Sequence, residues 1–181
     1  IKIVKQTAPG ALIVIGGPHA HLFPEETVNL AGVDFVVIGE GEEVFSQLVD
    51  HIDEPTVLRQ IPGLVFRYND QIVKTGLAGM IQDLDSLPFP ARHLVPYQKY
   101  SSLLAVRTPI TTMFTSRGCP FQCAFCDRPH LGKRFRARSP KNVVDEMEHC
   151  TRMGIHEFLI YDDTFTVNRK RVLGICDEIQ Q

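Results

Sequence analysis

No stretch of this sequence approaches the roughly 18 to 20 apolar residues that crossing a bilayer takes. The longest apolar runs, Ala11 to Ile15 and Asp34 to Ile38, are strand-sized, so no membrane span is expected. An excess of charge of one sign is lacking too: 19 Lys and Arg stand against 21 Asp and Glu, a formal net charge of −2. Without a global basic field, the composition gives no argument for nucleic acid as a partner. A secretory signal is also missing, since the chain opens at Ile1 with neither a charged n-region nor an apolar h-region. Five cysteines in that context do not spell a disulfide framework, and a reducing cytoplasm is the expected setting. The chain starts without Met and stops at Gln181 inside a helical pattern, so a segment of a longer protein is expected.

What is present is an ordinary globular composition, 44% hydrophobic over 181 residues, suited to one domain or parts of two. Ile1 to Gln6 reads as the last turns of a helix. Ala11 to Ile15 is an all-apolar strand of the kind buried on both faces of a parallel sheet. Gly16-Gly17-Pro18 breaks it, and Pro24-Glu25-Glu26 can start a helix, with proline in the first turn and acids at the positive end of the dipole. Asp34 to Ile38 is a second buried strand, stopped by Gly39-Glu40-Gly41-Glu42, and Glu43 to Ile52 has helical periodicity. This order predicts half of a doubly wound α/β sheet. Gly63 to Arg67 and Gln71 to Thr75 predict a hairpin turning at Tyr68-Asn69-Asp70.

Leu84 to Pro96 carries three prolines and no clear period, which predicts an ordered linker. Beyond it, Thr111 to Thr115 reads as a strand and Ser139-Pro140 as the cap of a helix to Met153, with Val143, Val144, Met147 and Cys150 on one face. Phe158 to Tyr161 is another strand. A helix from Asn168 onward has Val172, Leu173, Cys176 and Ile179 as its expected apolar face. Cys150 and Cys176 therefore read as core residues, because buried free cysteine behaves as a small hydrophobe. Lys133 to Arg138 holds four positive charges and reads as a solvated loop, with an anion site as the alternative.

The chemistry concentrates in Thr115-Ser116-Arg117-Gly118-Cys119-Pro120-Phe121-Gln122-Cys123-Ala124-Phe125-Cys126, whose spacing is C-x3-C-x2-C. Thiolates are soft ligands suited to iron–sulfur clusters, and a four-iron cubane normally takes four of them. Three cysteines leave one iron open. An open iron can be chelated by the amino and carboxylate groups of S-adenosylmethionine, and an electron passed to the sulfonium then breaks a carbon–sulfur bond to give a 5′-deoxyadenosyl radical. The alternative is structural zinc, with His130 completing a Cys3His set.

On these residues the sequence resembles the radical S-adenosylmethionine superfamily, whose motif is C-x3-C-x-aromatic-C at the end of the first barrel strand. The resemblance implies that Cys119, Cys123 and Cys126 bind a 4Fe–4S cluster and that Phe125 borders the adenine. It also implies that Asp162 or Asp163, following the next strand, receives the methionine amino group. A capping and turn pair is the alternative reading of these two carboxylates.

The glycines after the first two strands, the Pro-rich segment and the cysteine loop come in an order that resembles the cobalamin-binding class of this superfamily. That class includes the anaerobic magnesium-protoporphyrin IX monomethyl ester cyclases and radical methyltransferases. The resemblance implies a Rossmann-like cobalamin domain over 1–80, a linker over 81–105, and the opening of a partial (β/α)6 barrel over 106–181. Gly16 and Gly17 would border the nucleotide tail of cobalamin, and Gly39, Glu40, Gly41 and Glu42 would lie near the corrin. The D-x-H-x-x-G signature of many cobalamin domains does not occur, and His19 and His21 read as polar loop residues. The expected activity is methyl transfer to an unactivated carbon of a small-molecule substrate, with oxidative cyclisation as the enzyme alternative. A zinc-binding interaction module is the non-enzyme alternative. The resemblance further implies a reductant such as flavodoxin or ferredoxin, and the segment alone is expected to be inactive.

Overall fold

Alternation is what fixes the first sheet. In the computed structural model, which describes residues 1–126 and 134–181, Val36 and Val65 face one side of that sheet, while Val37, Leu64 and Phe66 face the other. Each residue is buried, as the period of two demands for a sheet covered on both faces. The strands are β1 (Val14–Ile15), β2 (Phe35–Val37), β3 (Leu64–Tyr68) and β4 (Gln71–Lys74), lying in the order β1-β2-β3-β4. β1 and β2 run parallel, with Val14 opposite Phe35, and β3 and β4 continue the sheet antiparallel. The predicted hairpin is therefore part of the sheet itself. Its turn places Asn69 and Asp70 at φ 50° and 60°, the left-handed pair that a tight two-residue connection requires.

The helices of this unit are α1 (Lys2–Thr7), α2 (Pro18–Leu22), α3 (Pro24–Val28), α4 (Glu42–Asp50) and α5 (Pro55–Leu58). Val44 and Leu48 of α4 join Leu58 of α5 over one face, while Ala20 of α2 and Val28 of α3 cover the other. Each such fully buried aliphatic side chain contributes about 1.5 to 3 kcal/mol. Asp34 ties the strand entries: its Oδ2 accepts from the Ile13 N–H at 2.7 Å and from Lys5 Nζ at 2.9 Å. One expectation is corrected. His19 and His21 lie within α2, because Pro18 supplies a preset first helical turn instead of a loop.

The chain divides into two compact units, residues 1–81 with the described residues 123–126, and 82–122 with 134–181. The second unit starts with three short 3-10 turns, Leu84–Ser86, Arg92–Leu94 and Tyr97–Lys99. It continues through β5 (Ile110–Met113), β6 (Ser116–Arg117), β7 (Arg136–Ala137), α6 (Pro140–Arg152), β8 (Glu157–Ile160) and α7 (Arg169–Ile179). β5 and β8 pair in parallel, Thr111 opposite Phe158. Met113 packs with Val143 and Val144 of α6 and Ile175 of α7. Ser139 caps α6, its Oγ accepting from the Asn142 N–H at 3.1 Å, and Asn168 caps α7 by accepting from the Arg171 N–H at 3.1 Å.

Two further expectations are corrected here. Cys150 is fully buried, but Cys176 is exposed, as are Leu173 and Ile179. α7 turns Arg171 and Ile175 inward instead. A buried guanidinium must find acceptors, so Arg171, rather than the apolar stripe, sets the rotation of the helix. The basic run also fails as a uniform solvated loop: Arg136 is buried and Arg138 is engaged with Glu146, while Arg134 stays exposed.

Among the described residues no helix is long and apolar enough to cross a membrane.

Candidate functional site

At the carboxyl ends of β1 and β2 the first unit opens a cavity of about 450 Å³, lined by Val14, Gly16, Gly17, Val37, Gly39, Gly41, Glu42 and Phe45. Gly17 (φ 96°) and Gly39 (φ 86°) hold backbone conformations that favour glycine, and a Cβ at either would meet nothing within 4 Å. Open space beside a bare backbone is what a ligand needs to reach the sheet edge. Five of the six residues expected at the cobalamin site line this cavity. The sixth, Glu40, does not: it is buried, and its Oε2 accepts from the Ile81 N–H at 2.7 Å.

In the second unit, β6 and β7 pair antiparallel, Ser116 opposite Ala137, and pinch the chain on both sides of the cysteine loop. Cys119 is half-buried, and Cys123 and Cys126 are exposed, with the Cys126 N–H donating to the Cys123 carbonyl at 3.1 Å. None of the three is in a disulfide. Phe125 is 92% exposed. His130, the proposed fourth zinc ligand, lies outside the described residues.

The adjacent aspartates differ sharply. Asp162 accepts four hydrogen bonds: from the Thr115 N–H at 2.6 Å, Thr115 Oγ1 at 2.5 Å, the Ser116 N–H at 3.1 Å and Ser116 Oγ at 2.6 Å. It thereby fastens the exit of β5 to the end of β8. Asp163 is exposed, with no hydrogen bond among the described residues.

Several anchors had no signal in the sequence. Arg171 donates from Nη2 to the Thr115 carbonyl at 2.7 Å and from Nε to the Arg138 carbonyl at 3.0 Å. Burial pulls its pKa below the ordinary arginine value, and the Asp162 carboxylate works against that fall. Arg92, inside the supposed linker, is also buried. It donates to Thr111 Oγ1 at 2.9 Å and to Glu146 Oε1 at 2.5 Å, while Arg138 holds the other oxygen of Glu146. Asp85 of the same segment accepts from the Ser139 N–H at 2.9 Å, fixing the start of α6. The long separations, 54 residues for both Arg92–Glu146 and Asp85–Ser139, explain why spacing gave no hint.

The glycine-edged cavity and the three-cysteine loop each lie within a stretch that matches a family model. Residues 1–49 match the B12 binding domain and residues 113–180 the radical SAM superfamily. The chain is 38% identical over 183 residues to an uncharacterized methyltransferase of Pyrococcus horikoshii, an alignment covering 99% of this chain and 39% of that protein. It is 36% identical over 185 residues to the anaerobic magnesium-protoporphyrin IX monomethyl ester cyclase of Cereibacter sphaeroides, covering 99% and 30%. The chain thus spans about two fifths or less of these relatives' length. Its fold is similar to that of the cobalamin-dependent S-adenosylmethionine radical enzyme OxsB (TM-score 0.77, 18% identity, 99% of this chain and 26% of that one). It is also similar to the radical S-adenosylmethionine methyltransferase TsrM from Kitasatospora setae (TM-score 0.72, 22% identity, 98% and 35%).

Proposed function

We propose that this chain carries the cofactor-holding part of a cobalamin-dependent radical S-adenosylmethionine enzyme that methylates an unactivated carbon of a small molecule. The observation that carries this reading is the cavity bordered by Gly16, Gly17, Gly39 and Gly41 in the same chain as the C-x3-C-x2-C loop. The fit to the cofactors is one of donor chemistry: among the described residues the side chains of Cys119, Cys123 and Cys126 are not gathered into a metal-holding group. A cradle edged by four glycines admits one end of a large planar ligand against the backbone, and three thiols outside any disulfide are the donor set of a cluster with one open iron. When bound, cluster and cofactors supply one-electron reduction, hydrogen abstraction and a transferable methyl group.

The chain's own residues bind and orient. Cys119, Cys123 and Cys126 are the ligands of the cluster. Phe125, exposed, is available to the adenine. Asp163 is our choice for the methionine amino group, because the acceptor sites of Asp162 are already taken by Thr115 and Ser116. Glu42 and Phe45 line the cobalamin cavity, and Glu40 acts from behind the loop by holding Ile81. The electron comes from a reductant such as flavodoxin or ferredoxin, and cysteines outside any disulfide suit a reducing cytoplasm.

A second reading, oxidative ring closure, is favoured by the 36% identity to a cyclase. One experiment separates the readings. The full-length protein is reconstituted anaerobically with iron and sulfide, mixed with hydroxocobalamin, and turned over with S-adenosylmethionine and reductant. Methyl transfer predicts a brown protein that retains corrin absorbance and forms both 5′-deoxyadenosine and S-adenosylhomocysteine. Cyclisation predicts the first product without the second. A colourless, zinc-bearing protein sinks both.

A further inference from the structure

The segment after β8 reaches the exit of β5 at two points. Asp162 holds Thr115 and Ser116, and Thr164 Oγ1 lies 3.6 Å from Cys119 Sγ. Thr164 is half-buried and stands at the N-cap of the 3-10 turn Phe165–Val167, where a threonine hydroxyl ordinarily accepts a backbone N–H. It makes no such bond. Its hydroxyl is left facing the sulfur.

A thiolate bound to iron carries no proton, so in a loaded site only the hydroxyl can donate. A hydrogen bond donated to a ligand sulfur withdraws electron density and stabilises the reduced, more negative cluster, which raises its reduction potential. We propose that Thr164 is a positioning and tuning residue, setting how readily the cluster accepts its electron through a hydrogen bond to Cys119. The inference rests on the cluster reading given above. It also makes the three ligands unequal, since Cys123 and Cys126 are exposed whereas Cys119 is half-buried beside this donor.

The test uses the full-length protein, reconstituted anaerobically as wild type, Thr164→Val and Thr164→Ser. Iron is counted, and the midpoint potential is followed by electron paramagnetic resonance as dithionite delivers one electron through mediators. Thr164→Val is expected to keep its iron but to show an about tenfold lower ratio of reduced to oxidised cluster at the wild-type midpoint, about 59 mV for a one-electron couple. Thr164→Ser is expected to return to the wild-type value. Equal midpoints in wild type and Thr164→Val, or a serine variant displaced as far as the valine one, overturn the inference while the cluster reading stands. Wild type that takes up zinc and no iron fails both. Should Thr164→Val lose its cluster, the wild type decides: after exchange into deuterated water, the reduced cluster must couple to a hydroxyl deuteron, and its absence overturns the proposal.

Discussion

Around the cavity of the first unit the chain offers four glycines and one charged side chain, Glu42, whereas the second unit buries Arg92, Arg136, Glu146 and Arg171. The first site is made by leaving side chains out of an apolar sheet edge. Its rigidity comes from Val36, Val37, Leu64 and Val65 packed on both faces. The second is made by polar side chains that clamp backbone at the end of a two-stranded sheet. An apolar frame tolerates exchanges of similar volume; a buried polar clamp does not, because each lost partner strands another group.

Breaking the clamp is therefore expected to give the largest effect. Glu146→Ala removes the carboxylate between Arg92 and Arg138 and leaves two buried cations facing each other, at a cost of about 3 to 5 kcal/mol. Urea unfolding checks this, and a loss under about 1 kcal/mol would erase the contrast between the units. Asp162→Ala strands two N–H groups and two hydroxyls at Thr115 and Ser116, for about 3 kcal/mol and a reduced iron uptake. Asp163→Ala, at an exposed position, is expected to stay within about 0.5 kcal/mol in the same assay. It should instead raise the S-adenosylmethionine concentration needed for half-maximal cleavage.

In the first unit the contrast sharpens differently. Gly41 has φ −92°, which admits a side chain without strain, so Gly41→Leu fills the cavity and leaves the fold intact. Cobalamin retained after gel filtration, read by corrin absorbance, should fall about tenfold, equivalent to about 1.4 kcal/mol, with an unchanged urea midpoint.

The smallest expected effect concerns Cys150. Burial pushes its thiol pKa above the ordinary value, and the native state keeps the proton after the unfolded chain has lost it. Its contribution is therefore fully present below the unfolded pKa and is lost as pH rises through the raised native value. Cys150→Ala should flatten that alkaline slope in pH-dependent unfolding.

Where local chemistry decided the outcome, the sequence was legible. The C-x3-C-x2-C spacing, the Ser139-Pro140 cap, the turn at Asn69-Asp70 and the glycines after β1 and β2 each act within a few residues. The same holds for the α6 face of Val143, Val144 and Cys150. It failed on α7, where periodicity favoured Leu173, Cys176 and Ile179 but the structure turned Arg171 inward. It read Leu84 to Pro96 as an ordered linker and named no partner for it. Arg92 and Asp85 in that stretch are anchors for β5 and α6, and partners 54 residues away leave no periodic trace.

The sequence alone determined the C-x3-C-x2-C spacing on which the proposed ligand set rests, because such a spacing is a property of neighbouring residues. It also located the parallel pair β1 and β2, although β1 shrinks to Val14–Ile15, half-buried at the sheet edge with Leu12 exposed, where the apolar run from Ala11 predicts a strand buried on both faces. Only the tertiary structure separated Asp162 from Asp163, turning one into a clamp and leaving the other open. It alone set Thr164 beside Cys119 and gathered four glycines from two loops around one cavity. Those choices depend on which strand ends come together, and the free energy that brings them together is spread over core residues far apart in the chain.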